Sequence, residues 1–204
     1  MTIVSLRLRV HRSDLQERRA SSEQGQSLCP THHPSARLCA EYRIGDVAPG
    51  TALAVAAHAS GCESCALLVG DPPAPPETLW KSEAEGRKPL KARLPPLLRD
   101  IPRTRWRHVS RDVSVCSLRG VSGLGEAVCL LRVAPGANIV LPSHADLILG
   151  LSGRASGGFG VLSSGDLIEI SNPERGVAEP SKGLLALVVG DDGLYRGPFH
   201  ELVA

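Results

Sequence analysis

The chain has 204 residues, a formal net charge of +2, six cysteines, 21 glycines and 16 prolines, with only 3% aromatic residues. That length allows one or two domains, and the near-neutral charge points to neither direct nucleic-acid binding nor a membrane surface. No apolar run reaches the ~18 residues of a membrane-spanning helix, the N-terminus lacks the apolar core of a signal peptide, and scattered cysteines fit a reducing cytoplasm better than a secreted disulfide scaffold.

Residues 1–31 read as a flexible N-terminal extension. Residues 1–10, MTIVSLRLRV, alternate apolar and polar positions, which permits a short strand. Arg12 to Gln26 is charged and has no apolar stripe, the pattern of a disordered or partly helical tail.

Residues 32–70 read as a small helical module. A first helix is expected over 33–45, with Pro34 in its first turn and Ser35 at its start. Leu38, Cys39, Tyr42 and Ile44 form its inward stripe, and Gly45 ends it. Pro49 opens a second helix, with Leu53, Val55, Ala56 and Ala57 inward. Alanines let the two helices approach closely. Arg37, Glu41, Arg43 and the apolar end at Leu67–Val69 remain for a partner.

The module ends in His58-x3-Cys62-x2-Cys65. On a helix these three residues share one face. His58 would lie about 10 Å along the axis from Cys65, so its side chain must reach back or the helix must bend, and Gly61 is the natural bend. Two imidazoles and two thiols complete a closed tetrahedral zinc site with no open position for chemistry. His33 is the best candidate for the fourth ligand, with His32, Cys39 and Cys29 as rivals. His33 to Gly70 falls short of the ~40 residues below which a chain needs a staple to fold, so zinc would contribute folding free energy directly. A redox CxxC wants a strand-to-helix turn in a βαβ unit, and none precedes Cys62.

Residues 71–102 read as a proline-rich linker with short helices. DPPAPPETL, 71–79, forbids a continuous helix. Leu90, Leu94, Leu97 and Leu98 keep helical spacing between interrupting prolines. The basic run 87–111 contains Trp106 and His108. Near-neutral net charge favours a solvated edge there over a nucleic-acid contact.

From 103 to 204 the pattern turns to short strands, expected at Val113–Leu118, Ala127–Val133, Asn138–Leu141, Asp146–Leu151, Gly158–Leu162, Asp166–Ile170 and Leu184–Val189. Turn signals separate them, among them Pro135-Gly136, Gly153, Gly157-Gly158 and Ser164-Gly165. Strands so evenly spaced make a sandwich or barrel. GGFG, 157–160, lacks the following helix that phosphate binding requires and reads as a hairpin turn.

The order His33-Pro34, helix, Gly45-containing turn, helix, then His58, Cys62 and Cys65 resembles the ChrR-type zinc-binding anti-sigma factors. The likeness covers about residues 30–204 and is strongest over 33–70. It implies one structural Zn2+ held by His33, His58, Cys62 and Cys65, and an extracytoplasmic-function sigma factor as protein partner. It also implies a cupin-like second half, carried by Ala134-Pro135-Gly136-Ala137, Pro142, His144, Gly153 and Gly165-Asp166. The expected fold is therefore α+β, a small zinc-bound helical module followed by a cupin-like antiparallel β-barrel.

A catalytic cupin converges three or four ligands inside the barrel. Here His144 and Asp146 are what remains of such a set, a vestigial site, and the second-motif histidine is replaced near Ala178. Two ligands hold a metal poorly. The expected role is stoichiometric binding in the cytoplasm by a stress-response regulator of transcription, with a sensing or structural barrel. The alternatives are a cupin-type metal-dependent enzyme, and a thiol redox sensor in which Cys62 and Cys65 oxidise and release zinc.

Overall fold

The computed structural model describes residues 30–70, 94–99, 101, 103–118, 120–121, 125–137, 139–141, 144–170 and 177–191. Residues 1–29 of the N-terminal extension, Cys29 among them, and most of the linker lie outside them.

Among the described residues three helices come first: α1 (Ala36–Ile44), α2 (Pro49–Ala59) and α3 (Glu63–Val69). α1 starts later than the His-Pro pair suggests. Ser35 is its N-cap, and the Ser35 hydroxyl accepts from the Leu38 amide at 3.2 Å. Gly45, at φ +76°, ends it in the left-handed region that glycine alone adopts freely. Leu38, Cys39 and Tyr42 are buried as expected, whereas Ile44 is 77% exposed. α2 begins at Pro49 and buries Leu53, Ala54, Val55 and Ala57. The chain then breaks at Ser60–Gly61 and starts again as α3, with Cys62 as its N-cap. A single turn, α4 (Pro96–Arg99), follows the linker and buries Leu98.

Eight antiparallel strands follow among the described residues: β1 (Arg107–His108), β2 (Val113–Ser117), β3 (Glu126–Val133), β4 (Ile139–Val140), β5 (Ala145–Gly157), β6 (Gly160–Ser163), β7 (Leu167–Glu169) and β8 (Val177–Asp191). The hydrogen-bonded order is β1-β2-β3-β8-β5-β6, with β4 also on β8 and β7 also on β5. β5 and β8 are the spine. Short strands flank them on either side, β3 and β4 along β8, and β6 and β7 along β5.

Gly153, expected to mark a turn, instead lies inside β5. The strand is 13 residues long and carries register shifts at Gly150/Ser152 and Gly153/Ala155. Such bulges bend a strand without ending it. Gly153 has φ +86°, and a side chain there would run into the Gly183 carbonyl of β8. Close strand approach, rather than chain reversal, is what needs glycine here. GGFG does form a turn, closing the β5–β6 hairpin on the pair Gly157 and Gly160.

The central strands are buried on both faces. One face, with Val113, Val115, Cys129, Leu131, Ile148, Leu162, Leu184 and Val188, lines an apolar barrel interior. The other, with Leu130, Leu147, Leu149, Leu151, Leu167, Leu185 and Leu187, shares a single core with Leu38, Tyr42, Leu53, Val55, Val69, Leu94 and Leu98 from the helical side. The helices do not stand on their own few residues; one apolar face of the barrel completes their core. At ~25 cal/mol per Å2 of apolar surface buried, this shared face supplements the staple that length alone demands.

Candidate metal centre

The break between α2 and α3 shapes the site. His58 closes the last turn of α2, Cys62 caps α3, and Cys65 lies one turn further on. A single helix over 58–65 would have spread the donors along its axis. The turn instead starts a new helix at Cys62, and the ligand atoms of both cysteines come within 4.8 Å of that of His58. His33 arrives on the segment preceding α1.

One ligand atom from each of His33, His58, Cys62 and Cys65 lies within 4.8 Å of every other. His33 Nδ1 sits 3.5 Å from Cys62 Sγ and 3.4 Å from Cys65 Sγ. Zinc–sulfur and zinc–nitrogen bonds of ordinary length, set at the tetrahedral angle, put S and N about 3.6 Å apart. The two imidazoles meet edge to face, with ring centroids 5.5 Å apart. His58, Cys62 and Cys65 are buried, and His33 is exposed at the mouth.

His58 carries the clearest chemical mark. Its ring is 1% exposed. Nδ1 lies 2.7 Å from the Gly165 carbonyl oxygen, which only accepts, so Nδ1 carries the proton. Nε2 is then a bare lone pair, buried and without a hydrogen-bond partner. Such an atom costs ~1–3 kcal/mol unless something satisfies it, and a metal ion does. Burial lowers the His58 pKa, against the opposing Gly165 bond, which favours the neutral, ligating form. Burial, with the adjacent Cys62, pushes the Cys65 thiol up to about 12. Ionising these thiols side by side needs a cation between them. The donor set therefore fits a zinc-type ion.

The rival donors go elsewhere. His32 donates its amide to Asp166, and its ring lies toward Gly160. Cys39 is buried in α1, its Sγ 4.0 Å from the Pro34 carbonyl, outside the four-donor group. His144 Nδ1 pairs with Asp191 Oδ2 at 3.0 Å at a half-exposed position, and Asp146 is exposed. Trp106 is half-buried against the shared core, and the Arg132 guanidinium stacks on it 4.3 Å from the ring centroid. Its ring is used internally.

Three carboxylates of the barrel make contacts with the helical side that no motif foretells, Asp166 of the cupin-like Gly165-Asp166 pair among them. Asp166, fully buried, accepts from the Thr31 and His32 amides. Glu169 accepts from the Ser35 amide at 2.6 Å. Glu126 accepts from the Gly50 and Thr51 amides at the start of α2. Ser164-Gly165 signalled a turn in the sequence; nothing signalled that the turn would face residues more than 100 positions earlier.

Fold and site together define a class: a helical module with a His2Cys2 donor cluster, packed on a cupin-like antiparallel barrel. The solved structure of Rhodobacter sphaeroides SigE in complex with the anti-sigma ChrR has this fold. It matches at 20% identity with a TM-score of 0.56, over 78% of this chain and 98% of the matched chain. Ectoine synthase from P. lautus matches 44% of this chain at 10% identity (TM-score 0.37). An RmlC-like cupin from Shewanella frigidimarina matches 43% at 14% identity (TM-score 0.36). No protein-family model and no curated protein matches the sequence. Among the described residues no helix is long and apolar enough to cross a membrane.

Proposed function

We propose that this chain is a zinc-binding anti-sigma factor. His33, His58, Cys62 and Cys65 hold one structural Zn2+, and the helical module docks on an extracytoplasmic-function sigma factor in the cytoplasm. The observation that carries the reading is the convergence of the four donors around the unpartnered Nε2 of His58, in a chain whose fold matches that of the SigE–ChrR complex. The ion's part is structural: it neutralises two thiolates and ties α2, α3 and the segment before α1 together.

The docking face is apolar. Ile44 at the end of α1 and Leu67 and Leu68 on α3 are 77%, 81% and 55% exposed. Arg37 and Glu41 are paired on the outer face of α1 at 2.7 Å, leaving Arg43 as a further charged contact. The mechanism is stoichiometric occlusion without turnover, and the barrel serves as the sensing or structural half of a transcriptional stress-response regulator.

The test is a pull-down of the tagged full chain from its native cells, with mass-spectrometric identification of what co-elutes. A sigma factor that co-elutes with the wild type, and is lost with Cys62→Ser and Cys65→Ser, supports the reading. A folded, zinc-loaded protein that brings down no sigma factor overturns it.

A further inference from the structure

The β6–β7 turn touches the metal centre from two sides. His33 arrives on a segment with no helix of its own, so other groups must hold its backbone. Asp166 Oδ1 accepts from the Thr31 amide at 2.6 Å, the His32 amide at 3.0 Å and the Thr31 hydroxyl at 3.2 Å. The Leu167 amide donates to the His32 carbonyl at 3.1 Å. His58 comes from α2, and its Nδ1 donates to the Gly165 carbonyl of the same turn. Asp166 Oδ2 accepts from the Ser163 amide at 2.6 Å, which closes the turn and aims that carbonyl. One barrel turn thus fixes the His58 ring and anchors the backbone leading into His33, while the cysteines are placed by α3.

We propose that this turn is the outer shell of the metal centre, that Asp166 sets how tightly the centre holds its ion, and that metal occupancy and the packing of the turn are coupled. The inference rests on the metal-binding reading above. Groups that orient metal-bound histidines govern affinity because a ligand displaced by a fraction of an ångström no longer meets the ion squarely. Asp166 is well placed for this role. Fully buried, it uses both oxygens, each toward a different part of the site. An asparagine of the same shape has one oxygen and one amine. Whichever way it turns, the amine opposes an amide donor, either that of Ser163 or those of Thr31 and His32. Coupling of this kind is reciprocal. An ion in the centre tightens the turn, and anything that loosens the turn from the barrel side weakens the centre.

The experiment compares the full-length wild type with Asp166→Asn and, as control, Glu126→Gln. Glu126 ties the barrel to the opposite end of α2 from His58. Zn2+ affinity is measured by competition with a chromophoric chelator. The expected result is affinity weakened ~10–100-fold in Asp166→Asn and unchanged in Glu126→Gln. If Asp166 is merely structural, both variants unfold more easily and both keep wild-type affinity, which overturns the proposal. Because a variant at a buried carboxylate can fail to fold, amide hydrogen exchange of the wild type is followed with and without Zn2+. Exchange at Ser163, Gly165 and Leu167 is expected to slow more on metal addition than exchange in β2 and β3. Equal slowing in the two regions overturns the coupling. A folded wild type that takes up no Zn2+ removes the metal-binding reading itself, a failure visible before any variant is compared.

Discussion

Removing the Glu126 side chain should loosen the first turn of α2 where it meets the barrel, at the opposite end of the helix from His58. The N-cap of α2 is Ala48, which has no side chain able to bind the free amides of the first turn. Glu126, at the start of β3 and 7% exposed, does that work from across the interface. Its Oε2 accepts from the Gly50 amide at 2.6 Å, and its Oε1 accepts from the Thr51 amide and the Thr51 hydroxyl, each at 2.9 Å. Loss of a helix cap costs ~1–2 kcal/mol. A partly buried carboxylate at a helix N-terminus adds up to ~2 kcal/mol through the dipole. The buried Gly50 amide, left without an acceptor, adds ~1 kcal/mol or more. These terms overlap, so Glu126→Ala should lower unfolding free energy by about 3–4 kcal/mol, roughly 10 °C in melting temperature for a chain of this size. Glu126→Gln keeps one acceptor oxygen and should lose about half as much. The assay is equilibrium urea unfolding, with the slope m unchanged and the midpoint shifted. A loss below ~1 kcal/mol for the alanine variant would refute the reasoning, because it would mean water or another group caps α2 as well as Glu126 does.

Gly50→Ala should also destabilise, although alanine is the better helix former by ~1 kcal/mol. An added methyl there runs into Val128 and lies 2.9 Å from Glu126 Oε2, so a net loss of ~1–3 kcal/mol is expected in the same urea assay; a gain would show that the interface yields freely. On the proposed anti-sigma reading, Leu67→Asp with Leu68→Asp should abolish co-elution of a sigma factor and leave thermal stability within ~0.5 kcal/mol of wild type, since both side chains are exposed; retained co-elution would move the docking face elsewhere. Burial, with Cys116 beside it, pushes Cys129 up to about 12, above the ordinary 9.0. The fold favours the protonated thiol, so its contribution to stability is full below the ordinary value and is lost as pH rises toward about 12. At pH 8 a thiol reagent should therefore modify Cys129 only after denaturant is added, and rapid labelling of the native protein would contradict its burial.

The donor set was legible because metal-ligand chemistry restricts residue type, and because His58, Cys62 and Cys65 are close in sequence. The shape that brings them together was not. The spacing suits one helix with a bend at Gly61, whereas the structure has two helices with Cys62 capping the second. Ile44 keeps the spacing of a core residue yet is exposed, because α1 stops at Gly45 and packs only through Leu38, Cys39 and Tyr42. Gly153 reads as a turn because glycine marks both reversals and bulges; the crowding by Gly183 from the neighbouring strand decides between them.

By itself the sequence determined the donor chemistry, the helical start and the run of antiparallel strands. Each follows from residue type and short-range period, which the chain carries locally. Only the tertiary structure decided that the helices and the barrel share one core, and that Asp166, Glu169 and Glu126 reach back to the helical module. Those contacts join residues 75 to 135 positions apart. A carboxylate in such a contact looks in sequence like any solvated one, since its partners are backbone amides that every residue but proline carries.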